Sequence, residues 1–318
     1  MKDKIFFLIR VAIGVGLIVV LFRFIGDDRI LRIFSNSNKI YLFFGFVIFF
    51  IANCIGMLRW RFLLIASGLK VSIGESFLAF FCGLFFNLFF PSFVAGDVFR
   101  GATISHRHGE LKKVASSVFM DRFSGSVALA IVALVSYLVG GTKLNEPQVL
   151  HSLILVLLVI GCASLLVFNR SLFRFLTGVL KRKPSWREKV ISFHDQLYLF
   201  KEKPKNLFLA VVISLPIHIL VCIAFFINSR AFGSELPISN FFIVIPIITA
   251  ISLIPVTIAG AGTREAAAVY FFVLLGGDAA VALGISLLNL VAITIVGAMG
   301  GVLYLCLFRS RLQSKRLL

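Results

Sequence analysis

Apolar runs of about twenty residues recur along the whole chain, and a helix of that length crosses a hydrocarbon core of about 30 Å. No other feature constrains the fold as tightly, because backbone that leaves the helical pattern in hydrocarbon is tolerated only where protein buries it or where it lines a wet cavity. An all-α polytopic membrane protein follows. With 59% apolar residues, 36 Phe and a mean hydropathy of +1.02, the chain is no soluble domain. Its 318 residues hold roughly six to eight spans as a single membrane domain, with no room for a separate soluble catalytic one.

Two stretches interrupt the apolar pattern in the same way. Phe89-Phe90-Pro91-Ser92-Phe93-Val94-Ala95-Gly96-Asp97-Val98-Phe99-Arg100 and Leu253-Ile254-Pro255-Val256-Thr257-Ile258-Ala259-Gly260-Ala261-Gly262-Thr263-Arg264-Glu265 both read Pro-x-x-[Val/Ile]-Ala-Gly-x-x-x-Arg, and Pro255 lies 164 residues after Pro91. Each sets a helix breaker, a flexible pair and a charge inside or beside an apolar run. Paired interruptions in matching halves point to the central site of a transporter.

Spans are expected at about Ile5–Phe24, Ile40–Leu58, Ser117–Val139, Leu150–Phe168 and Leu207–Ile227, and from Ala279 to about Phe308. The first has no small-x-small cleavage site after it and reads as an uncleaved span. Arg59-Trp60-Arg61 closes the second as an interfacial aromatic between two positive anchors, and residues 62–75 suit an interfacial amphipathic stretch. Residues 169–206 carry ten Lys and Arg against three acids. There Trp186, Val190, Ile191, Phe193, Leu197 and Phe200 recur at near-helical spacing, which fits either an amphipathic surface helix or a solvated basic loop.

The net charge of +18 sits almost wholly between apolar runs, as the positive-inside rule and anionic lipid require, and does not call for nucleic acid. Placing 169–206 and the basic tail inside puts both termini in the cytoplasm of a plasma (inner) membrane. Charge then favours 76–116 and 240–276 as in-and-out hairpins rather than full crossings. Six full spans and two re-entrant hairpins result, with residues 5–139 as one half and 150–308 as a second, inverted half. Eight spans without hairpins are the alternative. The cysteines (Cys54, Cys82, Cys162, Cys222 and Cys306) each fall inside an apolar run with no ligand spacing, so buried packing is expected and neither a disulfide framework nor a metal site is.

The candidate charges are Asp97, Arg100, Asp121, Arg122, Arg264 and Glu265. Arg suits a phosphate through its planar fork and persistent charge. Breaks at Pro91, Gly96, Pro255, Gly260 and Gly262 would start half-helices whose free N–H groups add to an anion site. The plainer alternative is that these charges only pair with one another across the two hairpins. Asn87, beside the first breaker, either bonds a headgroup or satisfies freed backbone. Asn53, Asn289 and Thr294 are expected to bond between helices, and His106 and His108 to face solvent. No nucleophile–base constellation, nucleotide loop or metal motif appears, so neither catalytic residues nor a cofactor is expected.

At these positions the chain resembles the lysylphosphatidylglycerol synthase transmembrane family, also called flippase-like. The family's Asn, Pro, Gly-Gly-Asp-x-x-Arg pattern stands here as Asn87, Pro91, Ala95-Gly96-Asp97 and Arg100, and its acidic-Arg pair as Asp121-Arg122. Its later Pro and Gly-x-Gly-x-Arg-Glu stand as Pro255 and Gly260 to Glu265. Ala95 and Asp121 depart mildly from the usual Gly and Glu. The resemblance spans about residues 5–308 and implies a stand-alone membrane member that binds a phosphate-bearing lipid, anionic or headgroup-modified, and moves it between leaflets. Aminoacyl transfer is not implied. Two other functions remain open: a membrane transferase acting on polyprenyl-phosphate sugars, and a non-transporting partner of a separate lipid-modifying enzyme.

Overall fold

The computed structural model describes residues 2–89, 94–140, 146–176, 191, 194–195, 197, 204–254, 257 and 260–314. Among these residues every regular element is a helix. In chain order they are α1 (Lys2–Ile25), α2 (Asp27–Ser35), α3 (Lys39–Ala66), α4 (Ile73–Phe89), α5 (Val94–His108) and α6 (Leu111–Gly140). There follow α7 (Pro147–Phe168), α8 (Arg170–Leu176), α9 (Pro204–Ala231), α10 (Ile238–Ser252), α11 (Thr263–Leu274) and α12 (Ala279–Ser314). Five of them, α3, α6, α7, α9 and the Ala279–Cys306 part of α12, are long and apolar enough to cross a membrane. The sixth expected span, α1, is a helix of 24 residues.

The remaining apolar helices are short and paired. Helix α4 has 17 residues and α5 has 15; α10 has 15 and α11 has 12. At about 1.5 Å per residue none reaches across 30 Å of hydrocarbon. Each pair instead packs side by side. In the first pair Phe86 stacks on Phe99 with ring centres 3.8 Å apart, and Arg107 reaches Glu75 at 3.1 Å. These contacts run in opposite chain directions, so α4 and α5 form an antiparallel hairpin. A capping box starts it, Ser72 N–H donating to the Glu75 carboxylate at 3.0 Å while Glu75 N–H donates to the Ser72 hydroxyl at 3.2 Å. The second hairpin is the more deeply buried. Phe241 of α10 meets Phe272 of α11 at 5.0 Å inside a cluster that includes Ile243, Ile247 and Phe271.

Contacts between the halves are reciprocal. Helices α3 and α9 lie against each other, α4 lies on α12 as α10 lies on α6, and α6 touches α9 as α12 touches α3. Exchanging each element for its counterpart 164 residues away returns the same set. The hairpins therefore face a common cavity, each seated on the last helix of the other half.

Several boundaries differ from the expected ones. Helix α3 runs on to Ala66, so Arg59 and Trp60 lie inside a helix rather than at an interface, and both are buried. Trp60 packs with Leu64, Ala79 and Ile104, because the turn after Ala66 folds α4 back over that face. The polar segment after α1 contains α2, whose Ile30 is buried. Of the apolar face expected in 169–206, only Ile191 and Leu197 are among the described residues, and Leu197 is buried beside Leu63 and Phe123. All five cysteines are free. Cys82 and Cys222 are buried as expected, whereas Cys162 and Cys306 are exposed on outward helix faces.

Gly96 is not a break. Helix α5 begins at Val94, so Gly96 sits within its first turn, where an added Cβ would lie 2.1 Å from the Gly83 carbonyl oxygen and 2.6 Å from Asn87. It is glycine because the hairpin arms touch backbone to backbone there. Gly96→Ala is expected to push the arms apart and destabilise the protein by about 1–3 kcal/mol, the usual cost of overpacking. Thermal unfolding in detergent reads this, and an unchanged midpoint would show that the arms separate freely.

Candidate functional site

The first hairpin and its neighbours build an alternating chain of charges. Arg100, on α5, donates from Nε to Asp97 Oδ1 at 3.0 Å and from Nη2 to Asp121 Oδ2 at 2.8 Å. Asp97 and Arg100 are one helical turn apart on the same face. Arg122 closes on Asp97 from α6, with Nε to Oδ2 at 2.7 Å and Nη2 to Oδ1 at 3.1 Å. At the other end Arg59 of α3 donates from Nε to Asp121 Oδ1 at 2.7 Å and from Nη1 to the Ser214 hydroxyl on α9 at 2.8 Å. Three arginines thus share two aspartates. All except Arg122 are buried, and the Arg122 side chain is 45% exposed. Arg100 also lies over Trp60, its guanidinium carbon 4.5 Å from the ring centre, a cation–π contact that offsets part of its desolvation. Its Nη1 is nevertheless buried with no acceptor.

The second hairpin holds a smaller, neutral group at the start of α11. Gly260 and Gly262 have φ of +70° and +88°, left-handed values that glycine adopts without strain. Both precede the first helical residue of α11, Thr263. Glu265 caps the helix by accepting from Gly262 N–H and accepts from Arg264 Nη2 at 2.7 Å and from the Ser286 hydroxyl at 3.0 Å. Arg264 also donates from Nη1 to Asn289 Oδ1 on α12 at 3.3 Å.

These pairs form within each half, not across the two hairpins as the plainer expectation had it. The two groups share one cavity of about 320 Å³ between the halves. Asn87, Asp97, Arg100, Asp121, Arg122 and Arg264 all reach its wall, together with Arg59, Asn53, His218 and Asn289. Glu265 does not; it stands behind Arg264. Asn87 takes the backbone role, its Oδ1 accepting from Gly96 N–H at 2.7 Å. Pro91 and Pro255 lie outside the described residues. His106 is exposed and His108 partly so, away from the cavity.

Residues that the sequence left out of the site are therefore Arg59, His218 and Ser286; Asn289 makes the interhelical bond expected of it and also lines the cavity, whereas Asn53 bonds the Phe49 carbonyl of its own helix and lines the cavity. His218 donates from Nε2 to the Gly125 carbonyl oxygen at 2.9 Å. The one signal for Arg59 was its place within an otherwise continuous helical pattern, since hydrophobic residues resume directly after Arg61.

The family described as "Lysylphosphatidylglycerol synthase TM region" matches residues 7–301. Among curated proteins, a UPF0104 membrane protein of Methanocaldococcus jannaschii is 29% identical over 107 residues, 33% of this chain and 32% of that protein. The chain thus matches about a third of the length of that relative. No solved structure matches.

Proposed function

This chain belongs to the family of the lysylphosphatidylglycerol synthase TM region, and from that premise we propose that it binds a lipid by its phosphate between the two hairpins and passes the headgroup from one leaflet to the other. The observation that carries this is the charge of the cavity. Four arginines, Arg59, Arg100, Arg122 and Arg264, converge on it, and among the described residues three carboxylates, Asp97, Asp121 and Glu265, answer them. An unbalanced cation at membrane depth is costly and marks a functional site by default. A phosphate supplies the missing charge and several acceptor oxygens. The N-terminal turns of α5 and α11, which carry Asp97 and Arg264, add their positive dipole ends.

The reciprocal packing supports movement as well as binding. Two hairpins, each resting on the other half's last helix, can rock about a fixed central site, exposing it to one side and then the other. In the arrangement proposed here both termini are cytoplasmic, the membrane is the plasma membrane, and the hairpins open toward opposite faces.

Leaflet exchange of tail-labelled phospholipids in vesicles containing the purified protein tests this. Removing Arg264 alone would strand a buried Glu265, so the pair is removed together as Arg264→Gln/Glu265→Gln, with Arg122→Gln as the separate first-hairpin variant. Both are expected to return exchange to the rate of protein-free vesicles. Wild-type exchange in both variants would disprove the site.

A further inference from the structure

The family's description points to an aminoacylated lipid, whose headgroup carries two ammonium groups. The chemistry of the cavity points elsewhere. For an ammonium to bind here it needs a carboxylate whose charge is not already answered, and each of the three around the site already pairs with at least one guanidinium. Asp97 Oδ1 and Oδ2 take Arg100 and Arg122, and Asp121 Oδ1 and Oδ2 take Arg59 and Arg100. Glu265 gives Oε1 to Arg264 and Ser286 and Oε2 to the Gly262 N–H, and it does not reach the cavity.

Donors, by contrast, are in surplus. Each guanidinium has five N–H groups. Among the described residues Arg122, the least covered of the four, bonds only Asp97, through Nε and Nη2, and Arg100 Nη1 has no acceptor. The wall therefore offers hydrogen-bond donors and one uncompensated positive charge, and repels a second cation. Its size adds a limit. About 320 Å³ stands at the low end of the roughly 300–1,000 Å³ that small-molecule sites span, which suits a compact headgroup.

We infer that the lipid is net anionic, with a phosphate carrying a small uncharged substituent or none, and that ammonium-bearing headgroups are rejected. This rests on the lipid-binding reading above and specifies its substrate class. The shared chemistry has two sources, a phosphatidylglycerol-type phosphodiester and a polyprenyl monophosphate.

The test is equilibrium binding to the detergent-purified full chain of four tail-labelled lipids: phosphatidylglycerol, a polyprenyl monophosphate, phosphatidylethanolamine and lysylphosphatidylglycerol. At least one of the first two is expected to bind about tenfold or more tighter than the last two, since like charges a few ångströms apart at low dielectric repel by more than that. Which of the first two binds identifies the source. Asn53→Asp places a carboxylate on the wall where Asn53 now donates to the Phe49 carbonyl at 2.9 Å. It is nearly isosteric, and it is expected to erase the preference and raise affinity for lysylphosphatidylglycerol. Equal or tighter binding of lysylphosphatidylglycerol by the wild type overturns the inference, as does failure to bind either anionic lipid. The two proposals separate cleanly. Selective binding without leaflet exchange sinks translocation alone, and exchange of lysylphosphatidylglycerol as fast as phosphatidylglycerol sinks the headgroup assignment alone.

Discussion

Asp121→Asn is expected to destabilise the detergent-solubilised protein by about 3–5 kcal/mol, the range for removing one partner of a buried ion pair. Asn keeps the shape but not the charge. Asp121 stands between Arg59 at 2.7 Å and Arg100 at 2.8 Å, so its loss removes a partner from two buried guanidiniums at once. Arg100 keeps Asp97, at 2.9 Å, but Arg59 keeps only the neutral Ser214 hydroxyl. The companion change Arg59→Gln, made in the same chain, removes the stranded charge and is expected to recover about half of the loss, a coupling that a double-mutant cycle reads directly. The Lys113–Glu110 pair at 2.9 Å serves as a control, with side chains 41% and 46% exposed, and breaking it is expected to cost no more than about 1 kcal/mol. If Asp121→Asn costs as little as that control, the chain of charges does not hold α3, α5 and α6 together.

Glu265→Gln is expected to have an effect of similar size, about 3–5 kcal/mol, by a different route. Glu265 is fully buried and ties the second hairpin to the helix after it, through the Gly262 N–H that opens α11, the Arg264 guanidinium beside it, and the Ser286 hydroxyl on α12. A glutamine leaves Arg264 with no carboxylate and raises the cavity's excess to two positive charges. The tip of the hairpin is also tied to α1, since an added Cβ at Gly262 would lie 2.6 Å from the Gly14 carbonyl oxygen. Loosening Gly262 should therefore be felt by α1. Amide exchange over residues 260–268 and 12–18, measured with the melting midpoint, checks both consequences. Slow exchange at the tip in Glu265→Gln would mean that backbone geometry, not the carboxylate, holds it. Ser286→Ala removes a single neutral donor and is expected to cost only about 1 kcal/mol.

The helical hairpins were legible because their cause is local. A proline removes a helical hydrogen bond and a glycine admits left-handed backbone wherever the chain goes, and the left-handed φ values at Gly260 and Gly262 are what that glycine spacing allows. Arg264 and Glu265 were legible because charge in an apolar setting is conspicuous. Arg59 was not. Its sequence neighbourhood, Arg59-Trp60-Arg61, has the composition of a membrane interface, and only the return of α4 over α3 turns it into an interior position. Gly96 misled in the opposite direction, since its pairing with Ala95 and Asp97 reads as a break but the residue is needed for contact with Gly83.

By itself the sequence determined the solvent, the class of fold, the positions of the spans and the residues whose charge had to be explained, because hydropathy and backbone chemistry act over a few residues. Tertiary structure alone decided which charges meet. Asp121 finds Arg59 across 62 positions, Arg264 finds Asn289 across 25, and both groups reach a common cavity only because the two halves clasp each other through α3 and α9. Coulomb attraction selects partners by distance in space, and desolvation depends on what covers them. Neither quantity is written in the order of residues until the helices have packed.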